Sequence, residues 1–309
     1  MPLNAAISQM FAKMVDAGRP ALSAGTPADA RNLTAAGRAA LGKGPEMHEV
    51  KDLTLPSRGG PLRARLLRPT RDVEGLVVYL HGGGWVIGEI DDYDTMARTL
   101  AARSGCAVLL PDYRLAPEHP FPAGLQDAED ALIWAAANVQ ALVGAPVPLL
   151  VAGDSAGGNL ATVALLALHD RVPVAGQVLV YPVTDADFNR GSYGQWSEGM
   201  QLTRADMEWF FNHYAPSDLH AHPRISPMRH ANPPKLPPTV VFTAECDVLC
   251  DEGLAYAAHL SAGGTEVATR RMESLPHGFI RLHNLVDAAD AAVSAIAADL
   301  ARLARGARA

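Results

Sequence analysis

Residues 76–80, 107–110, 149–152, 177–181 and 239–243 are short runs dominated by apolar side chains, and stretches with helical character lie near 94–103, 125–138, 157–167, 253–262 and 285–305. A strand that is apolar on both faces must be covered on both, which in a globular chain means helices packed above and below it. Such strands alternating with helices define an α/β fold with a mostly parallel central sheet and helices on both faces. Residues 267–272 extend the series. Leu62-Arg63-Ala64-Arg65-Leu66-Leu67 instead alternates, as an early antiparallel strand with one wet face would.

The chain has 309 residues and no long linker rich in Ser, Gly, Pro or charge, so one large α/β unit is expected. Two segments fall outside the alternation. Near the start, Ile7, Met10, Phe11, Met14 and Val15 recur at helical spacing, and a second helix over about 28–41 stops at Gly42-Lys43-Gly44-Pro45. Between Pro182 and Pro238 no buried strand is expected; Met207, Trp209, Phe210, Phe211 and Tyr214 crowd a helical stretch flanked by loops rich in Pro, His and Asn.

Composition excludes several classes of function. A net charge of -7 with no Lys/Arg block leaves no electrostatic footprint for nucleic acid or anionic lipid. No run approaches membrane-spanning length and the N-terminus lacks a signal-peptide pattern, so a cytoplasmic location without stable membrane insertion is expected. Cys106, Cys246 and Cys250 are too few and odd in number for a disulfide framework. Cys246 and Cys250 lack two further ligands for zinc, and His220-Ala221-His222, with His213 and His230 nearby, lacks an acidic partner. Gly37 to Lys43 grazes a phosphate-binding loop, but Gly44 stands where Ser or Thr is needed and no strand precedes it.

The chemistry is carried by Gly153-Asp154-Ser155-Ala156-Gly157, which joins the run at 149–152 to the helix starting near 157. A serine between small residues at a strand-to-helix turn stands exposed above the sheet, as a nucleophile must. It needs a base, and the base needs a carboxylate to orient it. His277, in Pro276-His277-Gly278-Phe279 after the run at 267–272, is the expected base; His283, near the head of the last helix, reads as a surface or capping residue. After the run at 239–243, Asp247 is the expected acid and Glu245 the runner-up, with Asp251 and Glu252 placed to cap the following helix. The order Ser155, Asp247, His277 is that of the α/β-hydrolases. Attack on a carbonyl also needs backbone N–H donors aimed at the developing oxyanion. Ala156 supplies one, and His81-Gly82-Gly83-Gly84-Trp85, following the run at 76–80, is the loop expected to supply the others.

These residues, together with Asp112-Tyr113-Arg114-Leu115-Ala116-Pro117-Glu118 and Gly158-Asn159-Leu160, resemble the motifs of the bacterial hormone-sensitive-lipase-like esterases over about residues 45–305. The resemblance implies an α/β-hydrolase fold and a carboxylesterase for short to medium acyl esters, with neither metal nor cofactor. Ser155, Asp247 and His277 would form the triad, and Gly83, Gly84 and Ala156 the oxyanion hole, with Gly82 the weaker member of its triplet. Glu118 would steady the oxyanion loop or nucleophile region. Residues 1–45 and an insertion at about 185–235 would together form a helical cap over the catalytic domain at 46–309, with Trp85, Trp209, Phe210 and Tyr214 as pocket walls. The family often carries Asp-Pro-Leu-Arg-Asp around its acid, and here Val248 and Cys250 replace the Pro and Arg. The expected partner is a small-molecule ester, and a homodimer would fit the resemblance. An amidase on the same fold, or a ligand receptor that has lost catalysis, are the competing readings.

Overall fold

The computed structural model describes residues 2–308. Strands β1 (Glu49–Ser57), β2 (Gly60–Arg68), β3 (Leu76–Leu80), β4 (Ala107–Pro111), β5 (Leu149–Asp154), β6 (Gly176–Val180), β7 (Thr239–Cys246) and β8 (Val267–Pro276) form an 8-stranded sheet in the order β1-β2-β4-β3-β5-β6-β7-β8. The alternating strand at 62–67 lies in β2, antiparallel to both β1 and β4. Every other pair is parallel.

The pleat divides each central strand between two cores. On β3, Leu76, Val78 and Leu80 face the core that holds Leu125 and Leu132 of α5 (Ala123–Val143) and Leu160 of α6 (Ala156–Leu168), and that continues under β7 to Leu260 of α9 (Cys250–Ala262). Val77 and Tyr79 face the opposite way, toward Met96 and Leu100 of α4 (Ile90–Ser104) and Ile296 and Leu300 of α10 (Asp287–Gly306). Both faces of β3 to β7 are therefore dry, which is why these runs read as apolar throughout; β8, at the sheet edge, is not buried as the sequence suggested, and exposes Thr269, Arg270 and Arg271.

The N-terminal segment holds α1 (Ala5–Asp16), α2 (Pro27–Ala36) and α3 (Arg38–Leu41). Helix α1 buries Ile7 and Phe11 in the core beside α4 and α10, while Val15 stays exposed. The single helix expected over 28–41 is two. Gly37, a poor helix former, ends the first, and Arg38 turns onto α4, where its Nε donates to Asp92 Oδ1 at 2.7 Å.

Residues 182–238 contain α7 (Gly191–Gln195), α8 (Arg204–Tyr214) and short 3₁₀ turns, with no strand among them. Thr203 and Asp206 cap α8 reciprocally, and Asp206 Oδ1 also accepts the amide of Ser23 at 2.9 Å. One aspartate thus starts a helix and ties the two segments outside the alternation to each other. Among the described residues no helix is long and apolar enough to cross a membrane.

Candidate active site

Loops leaving the carboxyl ends of β3, β5, β7 and β8 meet above the sheet, the edge at which ligands bind in folds of this kind. The turn after β5 is tight. Ser155 has φ 55 and ψ -121, and its amide donates to Val180 O at 2.9 Å. A Cβ on Gly157 would lie 2.0 Å from Leu80 O, and one on Gly153 2.4 Å from Gly157 O, so the strand, turn and helix close only around glycine at both positions. The strained serine is held from both sides rather than by its own preference.

Ser155 Oγ lies 3.0 Å from His277 Nε2, and His277 Nδ1 lies 2.8 Å from Asp247 Oδ2. Asp247 is buried, and its other oxygen accepts the Leu249 amide at 3.0 Å. With Nδ1–H donating to the carboxylate, Nε2 is left as the acceptor facing the serine. Glu245 points away from this chain, toward the Arg271 guanidinium at 3.1 Å and the Ser274 amide at 2.8 Å. His283 is not a surface residue. It is buried before α10, with Nε2 3.1 Å from Thr99 Oγ1 and Nδ1 3.0 Å from Ile280 O, and burial lowers its pKa. Asp251 and Glu252 do not act as simple caps either: Asp251 accepts the Ser192 amide, and Glu252 lies buried against the amides of Thr184 and Asp185.

Gly83 and Gly84, with φ 118 and 58, bend the loop after β3 over the serine. Their amides and that of Ala156 find no acceptor among the described residues. The Gly82 amide is taken: it donates to Asp154 Oδ1 at 2.9 Å. Asp154, which sequence reasoning passed over, is the hub beneath this loop. Its Oδ1 also accepts the Tyr79 hydroxyl at 2.9 Å, and burial pushes its carboxyl up against the pull of those donors. His81 Nδ1 donates to Gly82 O at 2.8 Å, and burial lowers the pKa of this ring, stacked between Tyr93 and Tyr113.

The segment from Asp112 to Glu118 backs the loop from outside. Tyr113 donates its hydroxyl to His81 O at 2.7 Å, and the Ala116 amide donates to Trp85 O at 2.9 Å. Glu118 touches neither loop directly. It holds Arg31 of α2 at 2.6 and 2.7 Å, and Arg31 donates from Nε to Val86 O at 2.8 Å and from Nη2 to Ala116 O at 2.9 Å. Arg31 gave no signal in the sequence, because a lone arginine on a short helix has no motif.

A cavity of about 520 Å³ opens onto Ser155 and His277. Met10, Phe11 and Met14 of α1, Leu33 and Leu41 of α2 and α3, and Met207 and Phe210 of α8 wall it. Of the expected aromatic walls only Phe210 lines it. Trp85 and Tyr214 are buried and stack on each other at 4.2 Å, and Trp209 packs on Phe210 and His213. The aromatics are spent on joining the insertion to the loop after β3. His220 and His222 are likewise occupied by backbone, His220 Nε2 by the carbonyls of Phe211 and Ala215 and His222 Nδ1 by the Arg224 amide.

A strained serine at a strand–helix turn, a histidine and carboxylate on later loops and free amides on an early glycine loop are the organisation of an α/β-hydrolase. A family model for the alpha/beta hydrolase fold matches residues 77–281, and the chain belongs to that family, in its hormone-sensitive-lipase-like branch. It is 40% identical over 253 residues to a carboxylic ester hydrolase of Mycobacterium tuberculosis, covering 78% of this chain and 67% of that one. It is 38% identical over 258 residues to the ethyl acetate hydrolase of Pseudomonas putida, covering 80% and 81%. Among solved structures, the hyperthermophilic esterase of the archaeon Pyrobaculum calidifontis superposes with a TM-score of 0.92 at 38% identity, over 98% of this chain and 99% of that one.

Proposed function

We propose that this chain is a carboxylic ester hydrolase that works through an acyl-enzyme on Ser155. The observation that carries the reading is the unbroken hydrogen-bond chain from Ser155 through His277 to Asp247, at 3.0 and 2.8 Å, on a fold shared with esterases. Ser155 Oγ attacks the acyl carbon as His277 Nε2 takes its proton. The imidazolium that forms is stabilised by Asp247, and the oxyanion by the amides of Gly83, Gly84 and Ala156. His277 then hands the proton to the departing alkoxide. Water, activated by the same ring, releases the acid.

The apolar walls and modest volume of the cavity favour short to medium acyl groups. The N-terminal helices and the 182–238 segment supply those walls and act together as the cap. Cys106, Cys246 and Cys250 are free thiols, which suits a reducing cytoplasm.

Two measurements test this. A serine-directed fluorophosphonate should label Ser155, and turnover of 4-nitrophenyl esters should fall roughly 10⁴–10⁶-fold in Ser155→Ala, the scale for loss of such a nucleophile. An unlabelled serine together with undiminished turnover in the variant would remove the mechanism. Anilides turned over as fast as the matching esters would make the chain an amidase.

A further inference from the structure

We propose that the cavity selects esters carrying a free carboxylate at the end remote from the scissile bond, with Arg19 and Arg281 as its anion subsite. The inference rests on the ester-hydrolase reading and names a substrate class for it.

Among the described residues, the arginines with no carboxylate partner are Arg19, Arg71, Arg171, Arg281 and Arg305. Arg71, Arg171 and Arg305 stand in solvent on the outside of the fold. Arg19, though also exposed, and the half-buried Arg281 line the same cavity as Ser155 and His277. Arg281 is the more enclosed: its Nε is buried without an acceptor, and its guanidinium lies over the Tyr93 ring, 5.4 Å from the centroid. Tyr93 leads back to the reacting centre, since its hydroxyl lies 3.5 Å from Asp154 Oδ2, one residue before Ser155. The cation therefore lies over a ring whose hydroxyl reaches the residue next to Ser155.

Arg19 comes from the other side, on the turn after α1, with only a weak contact from Nη1 to Met14 Sδ at 3.5 Å. Burial and the like charge of Arg281 lower its pKa, as expected for two guanidinium groups sharing a cavity with no anion between them. The two carboxylates in the same wall do not serve them. Asp154 is engaged by Tyr79 and Gly82, and Asp206 by Ser23 and Thr203. Leaving the buried Arg281 Nε without an acceptor is costly, and a carboxylate matches the planar fork of a guanidinium. The rest of the lining is mostly apolar, so the occupant that suits both is an aliphatic ester ending in a carboxylate.

The test compares charged and neutral substrates of equal length by pH-stat: monoethyl suberate against ethyl octanoate for an acid on the acyl side, and ω-acetoxyhexanoate against hexyl acetate for one on the alcohol side. On one of the two arms the charged ester should be preferred about tenfold or more in kcat/KM at low ionic strength, and the preference should shrink with added NaCl. Arg281→Met and Arg19→Met should each lower the charged-to-neutral ratio by about tenfold, the arm affected identifying the side that carries the carboxylate. A wild-type ratio at or below one on both arms overturns the subsite whether or not the variants fold, as does a ratio unmoved by both substitutions. Those results leave ester hydrolysis standing. If no ester of either kind is turned over and fluorophosphonate leaves Ser155 unlabelled, the hydrolase reading itself falls.

Discussion

Asp154 shows how much of a site can rest on a residue whose hydrogen bonds all go to the protein itself. It occupies the variable position before the nucleophile, yet its Oδ1 gathers the Gly82 amide and the Tyr79 hydroxyl, fixing the glycine loop relative to the serine. In the proposed mechanism this leaves the amides of Gly83 and Gly84, and not that of Gly82, free in this loop for the oxyanion. Replacing Asp154 with Ala should lower kcat on 4-nitrophenyl butyrate by roughly 10–100-fold with a smaller change in KM, since the loss falls on donors used in the transition state. Asp154→Asn keeps an oxygen at the same place and should recover most of that rate; an Asn variant as impaired as the Ala variant would argue against the acceptor role. Ser155 and Asp247 were legible as candidates because each follows an apolar strand, and His277 because it follows a later, partly exposed strand in the order such a fold imposes. Asp154, Arg19 and Arg281 were not, because their partners are spatial, set by how the loop after β3 and the turn after α1 pack.

The elements were readable to the extent that burial wrote itself into periodicity. Strands covered on both faces, such as β3 and β5, were plain as continuous apolar runs, whereas β1, with most of its residues at least partly exposed, left no pattern distinct enough to single out. The break between α2 and α3 was hidden because α3 is held by tertiary contacts: Arg38 pairs with Glu89 and Asp92, and Asn284 donates to Leu41 O. Arg31 does the corresponding work for α2. It couples one wall of the cavity to the loop that bears Gly83 and Gly84, through Val86 O, Ala116 O and Glu118. In Arg31→Met the N-terminal helices should loosen, seen as faster proteolytic cleavage in the 17–26 connection, and KM for medium-chain esters should rise about 3–10-fold as the wall loses definition. Glu118→Gln should reproduce part of this. Unchanged cleavage and KM in Arg31→Met would mean that α2 is held by its apolar contacts alone.

On the scale of the molecule, one buried carboxyl joins α9 to the start of the 182–238 segment and makes stability depend on pH. Glu252 of α9 accepts the amides of Thr184 and Asp185 at 2.7 and 3.3 Å where the chain leaves the sheet, and its Oε2 lies 3.3 Å from the Tyr193 hydroxyl. Burial pushes its pKa up to about 8; the neighbouring charge of Asp185 adds to this, while the two amides and Arg190 work against it. In the unfolded chain the same group titrates near about 4.3. Between these values the folded protein holds a proton that the unfolded chain has released, so this contribution to stability is complete below the lower pKa and is lost as pH rises toward the upper one. Glu252→Gln preserves an oxygen for the two amides, places its NH2 beside the Tyr193 hydroxyl in place of the oxygen that hydroxyl donates to, and has no proton to lose. Its melting temperature should therefore gain on that of the wild type as pH is raised from about 4.5 to about 8, at roughly 2–4 °C for each kcal/mol relieved. Thermal melts of the two proteins at steps across that range decide the matter: curves that stay parallel, or a variant that falls further behind with rising pH, would show that Glu252 is ionised throughout and held by its hydrogen bonds.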